Sequence, residues 1–175
     1  MAQKKVPPRR KGVLECARFF EEGNRAPSKM LAVVLAMSIS LFAAESPFSG
    51  TWKLNLAKSK MTPPLPKSDI AVVDADENGL KLSQDIVTDK GESLKISYEA
   101  KFDGKDYPVT GDPSSDSVSY QRVNANTLKG QTKKGGKVAV DATIVVSKDG
   151  KITTVNYTDY SQAKPAKGTG VYDKQ

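Results

Sequence analysis

The chain has 175 residues, a single cysteine and no histidine, with 27 Lys/Arg against 20 Asp/Glu and a net charge of +7. Without histidine, the commonest metal ligand and the usual base near neutral pH are both missing, which excludes Ser-His-Asp and Cys-His catalysis and histidine-held zinc or haem. The positive charge does not signal nucleic-acid binding. Residues 1–29 carry eight Lys/Arg and three Glu, whereas residues 45–175 carry 19 and 17, are nearly neutral and show no basic stripe.

Residues 1–29 read as a basic, proline-containing N-terminal extension, either disordered or lying ahead of the true translation start. Arg9-Arg10 lies too far upstream to make a good twin-arginine signal. The apolar run Met30 to Ala44 is shorter than the stretch of about 20 residues that spans a bilayer. Its length and small-residue ending are those of a secretory h-region, predicting a signal-peptide helix over 30–44, cleavage near Ala44, and a secreted or periplasmic product. Cys16 lies in the extension and no cysteine follows the run. A lipoprotein anchor is therefore not expected, nor a stable membrane anchor after processing. Residues 45–175 have no disulfide framework, so packing alone must hold them, and about 130 residues can form one self-sufficient domain.

That domain reads as strand after strand. Trp52 to Leu56 opens it, and a connection stiffened by Pro63, Pro64 and Pro66 follows. Ile70 to Ala75 and Leu80 to Val87 flank Asn78-Gly79, a strong hairpin signal. Leu94, Ile96, Tyr98, Ala100 and Phe102 alternate with Lys95, Ser97, Glu99 and Lys101, which predicts one buried and one wet face. Tyr107 to Thr110, Val118 to Arg122, Thr127 to Thr132, Val138 to Ser147 and Ile152 to Asp159 continue the pattern, and Gly170 to Asp173 ends it. No stretch shows helical periodicity. Some ten short-linked strands predict an all-β fold, an antiparallel up-and-down barrel or a sandwich. Polar residues on expected inner faces favour the barrel: Gln84, Arg122, and Thr154 with Asn156. In a dry sandwich each would lack a partner at about 1–3 kcal/mol, whereas a barrel of eight or more strands can enclose a cavity.

Candidate site residues follow from those faces. Arg122 can neutralise an anionic head group, aided by the hydroxyls of Tyr98, Tyr120 or Tyr157; a salt bridge or a surface position would equally explain it. Tyr98 and Phe102 share a face and would line either a pocket or the core. Asp103, Asp106, Asp112 and Asp116 lack the spacing of a calcium loop, and turn chemistry explains each. No acid–base pair converges, so no catalytic residue, metal or cofactor is assigned.

Phe48-Ser49-Gly50-Thr51-Trp52 followed by Lys53-Leu54-Asn55 resembles the first-strand signature of the calycin superfamily, the lipocalins and fatty-acid-binding proteins. SPFSGTWKLNLAKSK, KFDGKDYPVTGDP with the later SYQRVNANT, and VVSKDGKITTV together resemble a group of small secreted bacterial lipocalin-like proteins, in the same order over most of Ser46 to Ser161. The resemblance implies a calycin-like barrel with an internal cavity for a small hydrophobic molecule. In it Trp52 is the structural plug, Gly50 permits close approach, and Arg122 is the nearest match to an arginine packed over that tryptophan. Tyr172 matches the tyrosine of the fatty-acid clamp, but the arginine of that clamp is missing. The proline-rich connection stands where a helical lid would be.

Together these readings predict an exported, non-enzymatic binding protein that holds a small hydrophobic or amphipathic ligand, with no nucleic-acid partner. The alternative is a secreted structural or protein-interaction β-domain with no cavity.

Overall fold

The computed structural model describes residues 45–161 and 163–175; the expectations for residues 1–29 and 30–44 fall outside these. Ten strands account for most of the described chain: β1 Gly50–Leu54, β2 Ser68–Ala75, β3 Gly79–Val87, β4 Ser93–Lys101, β5 Tyr107–Pro108, β6 Ser117–Asn124, β7 Thr127–Lys134, β8 Lys137–Val146, β9 Ile152–Asp159 and β10 Ala166–Lys174. Each pairs antiparallel with its sequence neighbour except across β4 and β5, and β10 returns to pair with β1. The hydrogen-bonded order is therefore β4-β3-β2-β1-β10-β9-β8-β7-β6-β5.

The sheet curls so that β4 meets β5 and β6. Ser97 and Thr110 exchange two backbone hydrogen bonds of 2.9 Å, and Gly104 N–H donates to the Tyr120 carbonyl at 2.8 Å. These short bridges replace a full ladder and leave a nearly closed, all-antiparallel ten-stranded barrel. Gly111 makes the first bridge possible. Its φ is +82°, and a Cβ there would run into the Lys95 carbonyl.

Turn chemistry sets the hairpins. Between β2 and β3, Asp76 Oδ1 accepts the N–H groups of Asn78 and Gly79 at 2.6 and 2.9 Å, an Asx turn. That turn fixes Ala75 opposite Leu80, Ala71 opposite Gln84 and Asp69 opposite Ile86. On β4 the alternation is as expected, with Leu94, Ile96, Tyr98 and Ala100 on the sheltered face and Lys95, Ser97 and Glu99 exposed.

Some strands differ from expectation, among them β1, which runs Gly50–Leu54 and not Trp52 to Leu56. Thr154 and Asn156 are not on the inner face of β9. Thr153 is the buried residue, Val155 shares its face, and Asn156 is exposed, where its Oδ1 accepts the Thr169 hydroxyl at 2.9 Å. The β8 pairing decides this, since Thr153 stands opposite inward Val146. The last strand also begins earlier, at Ala166, because Lys167 to Thr169 continue the ladder with β9.

The barrel is plugged at the end where β1 starts. Phe48, Trp52, Ala71, Leu80, Leu128 and Val146 form the buried cluster. Trp52 Nε1 donates to the Phe48 carbonyl at 2.9 Å, and Ser49 Oγ bonds both the N–H and the carbonyl of Ala75 at 3.0 Å. Gly50 has a φ of +131°, and a Cβ there would collide with the Lys174 side chain, whose ammonium lies 5.4 Å from the Trp52 ring centre. Close approach at Gly50 thus seats a cation on the indole, but the cation is Lys174 and not Arg122.

Candidate ligand cavity

Above the plug lies an interior cavity of about 260 Å³. Its wall is mainly aliphatic, including Val73, Leu82, Val118, Val140, Ile144 and Val155, and Trp52 and Phe48 contribute to it. Larger hollows of about 550 Å³ run along the outside of β3 and β4, lined by charged side chains such as Asp74, Lys81 and Glu99. A small molecule gains most where apolar surface surrounds it, which makes the interior space the candidate site.

Polar groups enter that wall at defined points. The hydroxyls of Tyr98 on β4 and Tyr120 on β6 are 2.6 Å apart, with ring centres 6.1 Å apart and planes inclined at 29°. Gly130 on β7 gives Tyr120 its room, since a Cβ there would stand 2.6 Å from the Tyr120 ring. Gln84 Nε2 donates to Asp69 Oδ1 at 2.7 Å and the Tyr172 hydroxyl donates to Asp69 Oδ2 at 2.8 Å. Gln84 and Tyr172 face the cavity, and Asp69, only 6% exposed, sits behind them. Thr153 also lines the cavity, its buried hydroxyl without a partner among the described residues.

Burial governs the ionisation of this set. It pushes Tyr98 and Tyr172 well above the ordinary phenol value; the Tyr120 phenol adds to the shift on Tyr98, and the Asp69 carboxylate adds to that on Tyr172. Burial raises Tyr120 as well, against the opposing bond from Tyr98. These phenols stay protonated at neutral pH and offer hydrogen bonds, not a base. Burial also raises the Asp69 carboxyl, and the bonds from Gln84 and Tyr172 only partly offset it.

A carboxyl whose folded value lies above its unfolded one favours folding at low pH. That contribution is lost as pH rises through the folded value. Asp69→Asn, close to isosteric, is therefore expected to be more stable than the parent at pH 7, with the advantage shrinking as pH falls through the acid range. Urea denaturation from pH 4 to 8 checks this, and an advantage that grows on acidification contradicts it.

The five expected ligand residues separate into three places. Tyr98 and Tyr120 meet in the cavity wall. Arg122 and Phe102 meet at the plug, where the guanidinium lies 4.4 Å from the Phe102 ring centre and 5.7 Å from that of Phe48. Arg122 Nη2 donates to the Asp76 carbonyl at 2.8 Å, so this side chain ties β6 to the β2–β3 turn and lies outside the cavity lining. Tyr157 packs over Gly168 on β10, away from the lining. The four loop aspartates act singly: Asp103 and Asp112 accept local backbone N–H groups, Asp116 accepts the distant Gly135 N–H in the β7–β8 turn, and Asp106 pairs with Lys133.

Sequence reasoning missed Asp69 and the cavity role of Tyr172. A signal for Asp69 existed, because the Asn78-Gly79 register puts residue 69 on the same face as Gln84.

The fold and cavity define a small antiparallel β-barrel with a partly apolar interior space, stoppered at one end by a tryptophan. No family model, no curated protein and no solved structure matches the chain.

Proposed function

We propose that the chain is an exported, non-enzymatic binding protein of the lipocalin-like kind, holding a small hydrophobic or amphipathic molecule inside the barrel. The observation that carries this reading is the 260 Å³ interior space with aliphatic walls, a few hydrogen-bonding groups and an indole stopper. The first-strand signature around Gly50 and Trp52 and the apolar run of Met30 to Ala44 support the lipocalin-like and exported parts. Phenols held protonated, in a chain without histidine, favour binding over acid–base chemistry.

An eight-carbon chain transferred from water would contribute about 6 kcal/mol at about 0.8 kcal/mol per methylene, and association costs reduce this to an affinity of about micromolar to millimolar. Trp52 is the only tryptophan and lines the cavity, so its fluorescence reports occupancy. Titration with 1-octanol is expected to give a saturable change. Ala142→Phe, which fills the space from β8, is expected to abolish that change while leaving the melting temperature within a few degrees. If the interior is effectively solid, the same substitution overpacks it, which costs about 1–3 kcal/mol, and octanol gives no saturable signal in either protein.

A further inference from the structure

We infer that the cavity selects its ligand by charge, accepting a small organic cation such as a protonated alkylamine in preference to a carboxylate of the same length. This rests on the reading of the barrel as a binding protein, and it narrows the ligand to a chemical class. The geometry carries it in three ways.

Among the described residues, no lysine or arginine contributes to the cavity wall. Arg122 and Lys174 are held elsewhere. Arg122 lies over Phe102 and bonds the Asp76 carbonyl, and Lys174 lies over Trp52 beside Gly50. A carboxylate entering this space would lose its hydration with no positive partner to replace it.

The formal charge packed behind the wall is negative. Asp69 is buried on the inner face of β2, and both its oxygens are held by neutral donors, Gln84 Nε2 and the Tyr172 hydroxyl. A neutral donor leaves the carboxylate charge in place, and in a low-dielectric interior that charge is felt across several ångströms. It opposes an anion and attracts a cation.

The wall also matches an ammonium group in kind. An ammonium has three donors and no acceptor. The Tyr172 oxygen, having donated its proton towards Asp69, keeps lone pairs for a ligand. Tyr98, Tyr120 and Tyr172 all contribute to the lining, and aromatic faces attract cations, while the Trp52 ring already carries Lys174. The Thr153 hydroxyl can donate or accept and does not discriminate.

The test is calorimetric titration of the full chain with octylamine, octanoate and 1-octanol at pH 7, repeated on Asp69→Asn. Octylamine is expected to bind at least about tenfold more tightly than octanoate, a gap that the substitution should reduce to less than about threefold. Octanoate binding as tightly as octylamine, with octanol also bound, overturns the charge selection while the binding reading survives. Failure of all three to bind overturns the binding reading and the selection with it. A gap that persists in Asp69→Asn overturns the role given to that carboxylate. The wild-type comparison alone decides the preference should the variant not fold.

Discussion

Trp52→Ala is expected to lower the unfolding free energy by about 3–5 kcal/mol, the range for emptying a buried aromatic site. The indole is 4% exposed and sits in the cluster that closes the barrel. Removing it strands the Phe48 carbonyl, takes the surface from under Lys174 and joins the plug to the cavity above. Among the described residues ahead of β1, Phe48 is packed in the same cluster and Ser49 is bonded to Ala75, so both lose support with the indole. Because the fluorescence probe disappears with the side chain, urea denaturation should be followed by circular dichroism. A fall in melting temperature of roughly 10–20 °C is expected for a domain of this size. An unchanged midpoint would remove the stopper from the account of the fold.

The second large effect is expected at Gly111→Ala. A left-handed φ costs a residue with a Cβ about 1–2 kcal/mol, and here the Cβ would also meet the Lys95 carbonyl, a backbone atom that cannot swing aside. Relief requires moving the loop off β4, which breaks the paired hydrogen bonds between Ser97 and Thr110. The barrel should then open along its weakest seam, where β4 faces β5 and β6 without a continuous ladder. Amide exchange at Ser97 and Thr110 is expected to speed up by at least about tenfold, ahead of exchange in the β7–β8 hairpin. Gly150→Ala is the control. Its φ is +69° but nothing stands near the added carbon, so it should show the conformational cost without the opening. Equal effects at both positions would mean that the seam does not depend on Gly111.

How far residues reveal their own faces differs from strand to strand. On β4 the alternation of Leu94, Ile96, Tyr98 and Ala100 with charged and small polar residues matches what the barrel does with them. On β2 hydrophobicity misleads. Ile70 and Val72 are 37% and 50% exposed, while the aspartate beside them points inward. The reason lies in the neighbours. Ala71 stands opposite Trp52, where only a small side chain leaves room for the indole, and that parity carries Asp69 to the inside. Gln84 and Tyr172 then satisfy it. On β9 the inner face holds Thr153 and not Thr154, a choice made by the ladder to β8 because the threonines themselves are equivalent.

The linear order of residues was enough to define an all-β chain of ten strands joined mostly by short turns, with Trp52 and Gly50 at its start and no histidine chemistry. Those properties follow from local rules: side-chain alternation, turn-forming dipeptides and composition. Closure was decided in three dimensions, because the return of β10 to β1 and the bridges from β4 to β5 and β6 join residues far apart in the chain. So was the electrostatic character of the interior. Arg122, the one arginine of the described domain, became part of the plug beside Phe48 and Phe102, next to the register shift in the β6–β7 ladder between Arg122 and Asn124, while a buried aspartate stayed behind the cavity wall. Which charges a cavity contains depends on strand register summed around the whole barrel, and no single strand carries that information.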